Sequence, residues 1–197
     1  MSDGRLHAER AERRRRAIPR AFRSATADGC EPRPLQDALR WGRGEIDGLL
    51  LTGNVGAGKT HLAAVAALAR CEREAVLWMS VPAVFAAMSL GFDSPEREMM
   101  VRRLTGRDAA WRPGRPPAAL VLDDIDKARE SGYGAEVVFQ AVDFCHNEGR
   151  PLLVTTNRSL RELAAKWPEP FGEGIASRLA GMCVAHRLTG RDRRVVR

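Results

Sequence analysis

Short apolar runs alternate with longer stretches of helical spacing over most of the chain. Each run has four or five residues, a length and continuity typical of strands buried on both faces of a parallel sheet. The runs occupy residues 49–52, 75–79, 118–122, 152–155 and 182–185. Helical spacing fills the intervals at 59–71, 82–89, 95–104, 134–146, 160–167 and 175–179. This alternation predicts an α/β fold with a parallel five-stranded sheet flanked by helices.

The first 48 residues follow a different pattern. An arginine-rich stretch over 6–17 predicts a helix, which Pro19 is expected to stop. Pro32 and Pro34 then indicate a loop region before the first strand. The chain accordingly divides into three parts, a basic N-terminal extension over 1–30, a folded body over 31–190 and a basic tail over 191–197.

The composition is that of one ordinary globular domain. The chain has 197 residues, 44% of them hydrophobic and 29% charged, which is enough for a single sizeable core. Its longest apolar run, 62–69, has eight residues, whereas a bilayer span needs roughly 20. The N-terminal arginines precede no apolar stretch, so we predict a cytoplasmic protein without a secretory signal or membrane span.

Positive charge is concentrated at the two ends of the chain. The net charge is +7, of which residues 1–30 carry +4 and residues 175–197 carry +5, so the remainder is slightly acidic. Such ends favour contact with nucleic-acid phosphates or with an acidic protein surface. Arginine outnumbers lysine 29 to 3, however, and genome base composition is an equally good explanation of that bias.

One glycine-rich segment lies where a strand gives way to a helix. Residues 53–60 match the P-loop pattern GxxxxGK[ST], which follows a strand and opens a helix. Its glycines allow successive backbone N–H groups to face one anion. Lys59 is expected to reach the β- and γ-phosphates of a nucleotide, and the Thr60 hydroxyl to ligate Mg²⁺. The predicted nucleotide-binding residues are Gly53, Asn54, Val55, Gly56, Ala57, Gly58, Lys59, Thr60 and His61.

A pair of aspartates follows the third predicted strand. The carboxyl ends of parallel strands form the ligand edge of such a sheet, so Asp123 and Asp124 are expected beside the P-loop. Asp123 is predicted to hold Mg²⁺ through water, and Asp124 to orient and polarise the attacking water. Asp126 is expected to lie outside direct contact with the metal. The alternative is a pair of solvated acids in a turn.

Two further residues are candidates for catalysis. Asn157 ends the fourth predicted strand, where a neutral amide can hold the attacking water or read the γ-phosphate. The segment 155–157 also fits a helix N-cap before Leu160. Arg178 precedes the last strand and is a candidate finger for a neighbouring subunit's site. A surface salt bridge is the alternative for Arg178.

The order of these motifs resembles the AAA+ ATPases of the initiator clade, specifically the DnaC/IstB-like group of helicase loaders and transposition helpers. The likeness covers residues 18–188, and 18–22 look like a short motif of that group upstream of the P-loop. By this resemblance Asn157 is similar to sensor 1 and Arg178 to an arginine finger that acts in a neighbouring subunit. The resemblance implies ATP and Mg²⁺ as cofactors, hydrolysis to ADP and phosphate and an ATP-dependent homo-oligomer. About a dozen residues follow the last predicted strand, too few for the helical C-terminal lid of many AAA+ proteins, and other members of the group also look lidless.

The resemblance also implies partners. As a helicase loader in DNA replication, the protein would contact a replicative DNA helicase through a helix at 10–16, with Leu6, Ala17 and Ile18 as apolar anchors. A helical insertion over 82–107 would line a path for single-stranded DNA. Its candidate contacts are Arg97, Arg102, Arg103 and Arg107, with Phe92 and Trp111 as the nearby aromatic residues.

Alternatives remain open for the insertion and for the overall function. The insertion also fits a solvated amphipathic helix with Met99, Met100 and Leu104 facing inward. The whole protein fits an ATPase helper that delivers DNA to a transposase. It also fits an ATP-gated adaptor for DNA or protein that barely hydrolyses its nucleotide.

Overall fold

Helices alternate with strands along the residues that the structure, a computed structural model, describes: 2–88, 94–104 and 119–190. The helices are α1 Ser2–Arg15, α2 Pro32–Arg43, α3 Lys59–Cys71, α4 Val81–Met88, α5 Pro95–Leu104, α6 Gly132–Asn147, α7 Leu160–Lys166 and α8 Phe171–Met182. The strands are β1 Gly48–Gly53, β2 Val76–Ser80, β3 Ala119–Asp123, β4 Leu152–Thr156 and β5 Val184–Leu188. Short 3₁₀ turns lie at Arg20–Phe22 and Ile125–Lys127.

The five strands form one parallel sheet in the order β2-β3-β4-β1-β5, which confirms the predicted fold class. β1 lies between β4 and β5, so Leu50 pairs with Val154 on one side and with Ala185 on the other. The carboxyl ends of β3, β4 and β1 are therefore neighbours. Loops that leave these three strands meet at one edge of the sheet, the usual place for a ligand in an α/β fold.

Both faces of the sheet are covered, which explains the continuous apolar runs in the sequence. Leu50 faces one side, where it belongs to a cluster with buried residues of α6 and α8. Leu49 and Leu51 face the other side and pack in a cluster with Trp41 of α2 and the alanines of α3. All three leucines are fully buried. Adjacent residues of β1 therefore serve two halves of the core.

Helix α2 occupies the segment that was predicted to be a loop. Its two prolines lie in the first turn, where the backbone N–H groups have no helical partner and proline is tolerated. Gly44 ends the helix in the left-handed conformation with φ of 71°. Trp41 is fully buried and its Nε1 donates to the Asp47 carbonyl at 3.2 Å. Tertiary burial of this helix outweighs the loop signal of its prolines.

Helix α1 and the residues after it pack on the body of the protein. Arg14 donates to the carbonyl oxygens of Cys71 and Glu72, at 3.0 and 3.2 Å, and thereby holds α1 against the end of α3. Ile18 is fully buried in the same core cluster as Trp41. The expectation that Ile18 anchors a partner is therefore wrong, because the protein's own core already covers this side chain.

The described part of the candidate DNA-binding insertion includes α5. Arg102 forms an ion pair with Glu98 one turn earlier on this exposed helix face. Leu104 is buried and Met100 packs partly against the core, whereas Met99 is 46% exposed and does not face inward as the amphipathic alternative expected. Phe92, Arg107 and Trp111 lie outside the described residues, as does the tail 191–197.

The described residues bear on two of the expectations, the missing C-terminal lid and the missing membrane span. Up to residue 190, no helix follows β5, the position where a C-terminal lid would begin. Within the described ranges, every helix is too short or too polar to cross a bilayer.

The cysteines are all free thiols, with Cys71 and Cys145 buried and Cys30 and Cys183 half-buried.

Candidate nucleotide-binding site

The loop between β1 and α3 curls back on itself before the helix begins. Gly56 and Gly58 both have positive φ, 80° and 91°, a backbone region that side chains other than glycine rarely adopt. Gly58 is the N-cap residue and Lys59 the first residue of α3. The unpaired N–H groups and positive dipole end of this helix therefore face the loop, as in sites that bind phosphate.

Lys59 lies at the centre of the loop and is only 6% exposed. Its ammonium donates to the carbonyl oxygens of Gly53 and Asn54, at 2.9 and 2.8 Å, and to Oδ1 of Asn157 at 2.8 Å. These three acceptors are uncharged. The ammonium is thus held by the ends of β1 and β4 together, at the edge of the sheet where the P-loop opens.

Thr60 and Asp123 meet beside the P-loop. The Thr60 hydroxyl donates to Oδ1 of Asp123 at 3.1 Å, and the buried Thr155 hydroxyl donates to the same oxygen at 2.6 Å. Burial is the main influence on the Asp123 carboxyl and raises its pKa, and the adjacent Asp124 raises it further. The two threonine hydrogen bonds and the nearby Lys59 offset only part of that increase.

Asp124 follows Asp123 in an unusual backbone conformation. Its φ and ψ are 59° and 50°, the left-handed region, which aspartate and asparagine tolerate better than most residues. Its backbone N–H donates to the Thr155 hydroxyl at 2.9 Å. Thr155, which sequence reasoning did not select, thus joins both aspartates to β4. Its position in a polar cluster at the end of a buried strand was the available signal.

Asn157 is held by a third aspartate. The Asn157 backbone N–H donates to Oδ1 of Asp126 at 2.9 Å, and its side-chain Nδ2 donates to Oδ2 at 3.0 Å. The N-cap interpretation of this segment is wrong, because Ser159 caps α7 and forms a capping box with Glu162. Asn157 therefore turns its amide oxygen, not its amide nitrogen, toward Lys59.

A cavity of about 370 Å³ lies beside the P-loop, Asp124 and Asn157. Three of the predicted nucleotide-binding residues do not line the cavity: Gly53 and Asn54 contribute carbonyl oxygens to Lys59, and Ala57 is buried in the core cluster of Leu49 and Leu51. Sequence reasoning did not select Phe22 and Lys127 as site residues. The lining residues are Phe22, Val55, Gly56, Gly58, Lys59, Thr60, His61, Asp124, Lys127 and Asn157.

The N-terminal segment forms part of the cavity wall. Phe22 lies in the 3₁₀ turn at Arg20–Phe22, and His61 at the start of α3 contacts the Thr26 carbonyl through Nε2 at 2.8 Å. The motif at 18–22 was the sequence signal for this arrangement, since it resembles a family motif upstream of the P-loop. Residues from both sides of α2 therefore close the cavity.

Arg178 does not line the cavity of its own chain. Its guanidinium contacts Oδ1 of Asp143 through Nε at 2.7 Å and Nη2 at 2.6 Å, and Nη1 donates to the Gly174 carbonyl at 3.2 Å. The guanidinium also lies 4.6 Å from the centre of the Phe139 ring. Within one chain Arg178 is thus a half-buried ion pair between α8 and α6, as the salt-bridge alternative predicts.

The donor set fits a nucleoside triphosphate with a divalent cation. A buried ammonium and a helix N-terminus face the cavity, as polyphosphate binding requires. The hydroxyl and carboxylate oxygens of Thr60 and Asp123, already 3.1 Å apart, are the hard ligands that Mg²⁺ takes in such sites. A cation bound there would favour the ionised carboxylate and so offset burial, which raises the pKa of Asp123.

The sheet order and the glycine-rich loop between β1 and α3 define an α/β fold with a P-loop at the carboxyl edge of its parallel sheet. No protein-family model and no curated protein matches the sequence. The comparison with solved structures therefore rests on the fold.

Several solved structures share this fold. A DnaI structure superposes with a TM-score of 0.72 at 20% identity, over 92% of this chain and 99% of that chain. The DnaC helicase loader gives 0.63 at 20% identity, over 87% and 100%. AMPPCP-bound DnaA from Aquifex aeolicus gives 0.63 at 14% identity, over 87% and 51%. The resemblance seen in the motifs thus extends to the fold.

Proposed function

We propose that this protein is an AAA+ ATPase that loads a replicative DNA helicase. In this proposal Lys59 and the backbone N–H groups of the P-loop bind the β- and γ-phosphates of ATP. Thr60 and Asp123 hold Mg²⁺, and the chemistry supplied by the bound cation is neutralisation of charge on the phosphate oxygens. Asp124 orients and polarises the attacking water, which Asn157 helps to hold.

The meeting of three chain segments at one cavity carries the ATP-binding part of the proposal. Lys59 follows β1, Asp124 follows β3 next to the buried Asp123, and Asn157 follows β4. Hydrogen bonds of 2.8 to 3.1 Å join Lys59 to Asn157 and Thr60 to Asp123. A glycine-rich turn that bound no phosphate would have no need of the buried carboxylate beside Thr60.

The geometry of Asn157 favours one of its two predicted roles. Its Nδ2 is bound to Asp126, so the atom that it presents toward the P-loop is an acceptor. An acceptor can take a hydrogen bond from a water molecule or an ammonium, but not from an unprotonated phosphate oxygen. We therefore assign Asn157 to holding water and Lys59 rather than to donating to the γ-phosphate.

Hydrolysis in this proposal needs a second subunit. Arg178 lies outside its own cavity, on the face formed by α6 and α8. A neighbouring copy that packs its cavity against this face would bring Arg178 to the developing charge on its γ-phosphate. ATP would then promote assembly, because the shared site binds the nucleotide from both sides.

The helicase is proposed as the partner because of the structural comparison. This chain covers nearly all of the solved DnaI and DnaC helicase loader chains, which share its fold. The exposed arginine-rich surface of α1 is the candidate contact, with single-stranded DNA as a candidate ligand of the insertion around α5. We expect the protein to act in the cytoplasm.

Co-sedimentation with the replicative helicase of the same host tests this proposal. The two proteins are mixed with ATP, with ADP and without nucleotide, and Lys59→Ala is the matched control. We expect association with ATP that the control variant lacks. Absence of association in every nucleotide state would contradict helicase loading and favour the transposase helper, which ATP-dependent filaments on duplex DNA would then support.

A further inference from the structure

Asp126 is a buried carboxylate to which the P-loop mechanism above assigns no role. It is 8% exposed and lies in the 3₁₀ turn Ile125–Lys127 that follows Asp123 and Asp124. Both of its oxygens accept hydrogen bonds from Asn157, one from the backbone and one from the side chain, at 2.9 and 3.0 Å. The carboxylate thus joins the end of β3 to the end of β4.

This double contact decides which way the Asn157 amide points. An amide group has a donor end and an acceptor end, and a carboxylate can accept but not donate. With its nitrogen bound to Asp126, Asn157 must present Oδ1 in the opposite direction, where it lies 2.8 Å from the Lys59 ammonium. The reversed amide would place two acceptors together at Asp126 and two donors together at Lys59.

The protonation state of Asp126 supports this arrangement. Burial alone would raise the pKa of Asp126, but hydrogen bonds from Asn157 and the Thr156 hydroxyl hold it below its ordinary value. At neutral pH both oxygens are therefore acceptors, and neither can donate to Asn157.

We propose that Asp126 is a positioning residue of the nucleotide site, which acts through Asn157 by aiming the amide oxygen at the P-loop. This inference rests on the proposed ATPase function and adds a specific residue to it. The chain of contacts runs from Asp126 through Asn157 to Lys59 and so joins the ends of β3 and β4 to the start of α3. Without the carboxylate, Asn157 loses the partner that fixes its orientation, and Lys59 loses an ordered acceptor.

The test compares Asp126→Asn with a matched aspartate variant elsewhere. Asp37→Asn removes another mostly buried carboxylate, which binds His186 and Arg40 away from the cavity. For Asp126→Asn we expect the kcat of ATP hydrolysis to fall roughly ten- to a hundredfold, the effect of misplacing a group by about 1 Å. The affinity for ATP should change by less than about threefold, since the phosphate-binding groups remain. Asp37→Asn should lower stability but keep kcat within about twofold of the unmodified protein.

A second measurement needs no nucleotide. In ¹H–¹⁵N spectra of the unmodified protein, the side-chain amide protons of Asn157 should exchange with solvent more slowly than those of the exposed Asn54. In Asp126→Asn the same resonances should shift and lose their protection. The exchange rate in the unmodified protein tests whether the Asn157 amide nitrogen is hydrogen-bonded, so this test does not depend on the variant being folded.

Three results would overturn the positioning role. The first is an unchanged kcat in Asp126→Asn, and the second is an equal loss of kcat in Asp37→Asn, which would make the loss an effect of lowered stability. The third is fast exchange of the Asn157 amide in the unmodified protein. If the unmodified protein neither binds nor hydrolyses ATP, the proposed function fails, while the amide exchange still reports whether Asp126 orients Asn157.

Discussion

The Lys59 ammonium lies 2.8 Å from Oδ1 of Asn157, a residue 98 positions later in the chain. The contact exists because β4, which precedes Asn157, lies directly beside β1, which leads into the P-loop. It joins the residue expected to hold phosphate to a residue expected to hold water.

We expect Lys59→Ala to abolish measurable ATP binding. Each hydrogen bond to a charged group contributes about 1.5–3 kcal/mol. Alanine makes none of the hydrogen bonds that the ammonium makes. Titration with a fluorescent ATP analogue measures the loss. Lys166→Ala is the control. Lys166 does not line the cavity, and its Nζ lies 3.2 Å from Oε1 of Glu130. Normal ATP affinity in Lys59→Ala would rule out the P-loop assignment.

Asp124→Asn should bind ATP but fail to hydrolyse it. Asparagine tolerates the left-handed backbone that position 124 adopts, and the backbone N–H to Thr155 is unchanged, so the loop should keep its shape. The missing carboxylate can no longer polarise water, and we expect a fall in turnover of roughly 10²–10⁴-fold. Parallel binding and phosphate-release assays separate the two effects. Turnover at the unmodified rate would show that Asp124 is not the catalytic carboxylate.

Arg178→Ala should lower turnover only through a neighbouring subunit. At concentrations that allow assembly, loss of an arginine finger is expected to lower kcat by roughly 10³-fold or more. Mixing Arg178→Ala with Lys59→Ala should restore part of the activity, because one variant keeps the P-loop and the other keeps the finger. Arg161→Ala, on the exposed face of α7, is the control.

The mixing experiment also separates the remaining functional alternatives. No recovery in the mixture would contradict action in a neighbouring site. Equal and negligible rates for Arg178→Ala and the unmodified protein would favour the nucleotide-gated adaptor, in which ATP acts as a switch.

Asp123→Asn should stabilise the protein in the absence of nucleotide and Mg²⁺. Burial raises the pKa of Asp123, so the ionised carboxylate destabilises the folded state at neutral pH. This destabilisation decreases as the pH falls through the raised pKa of Asp123 in the folded state. It is absent below the pKa of the unfolded state, near 3.8. Each kcal/mol removed should raise Tm by about 2–4 °C at pH 7, and the gap to the unmodified protein should close on acidification.

Asp37→Asn is a control variant in which we expect the Tm at pH 7 to fall instead of rise. Burial would raise the pKa of Asp37, but hydrogen bonds with His186 and Arg40 lower it overall. Its ionised form therefore stabilises the folded state above pH 3.8, and its removal should lower Tm at pH 7. A lower Tm for Asp123→Asn in chelator-treated protein would contradict the interpretation of Asp123.

Three of the four cysteines should resist thiol reagents in the folded protein. Burial raises the pKa of Cys71 to about 11 and those of Cys145 and Cys183 to about 12, so few thiolates form at pH 8. We expect Ellman's reagent to modify Cys30 first and the others only after unfolding. Cys30→Ser should remove the fast reaction. Fast modification of Cys71 or Cys145, which are both buried, in the folded protein would show that the core opens readily.

Local sequence patterns were sufficient where a structure depends on neighbouring residues. The spacing of apolar residues predicted α3 over 59–71 and α5 over 95–104 with the bounds that the structure has. Strands β1 to β4 were recognised because burial on both faces demands continuous apolar runs, whereas the half-exposed edge strand β5, Val184–Leu188, overlaps the predicted run 182–185 at only two residues. The P-loop was recognised because its glycines, its lysine and its helix N-terminus are adjacent in sequence.

Local patterns were misleading where burial decided the outcome. Pro32 and Pro34 indicate a loop, yet they begin α2, which is held in place by the buried Trp41. Ile18 has the features of an exposed anchor in a basic segment, yet the core covers it completely. Neither result follows from the residues nearby, because each depends on what packs against them from elsewhere in the chain.

The sequence by itself determined which residues are candidates for the chemistry: an ammonium and a hydroxyl in the P-loop, two carboxylates at the end of β3 and an amide after β4. Only the tertiary structure decided how they are oriented. The order β3-β4-β1 places Asp126 beside Asn157 and Asn157 beside Lys59. It is α8 packing on α6 that holds Arg178 against Asp143. Hydrogen bonds between residues far apart in sequence depend on the order of the strands, which no local pattern of apolar and polar residues specifies.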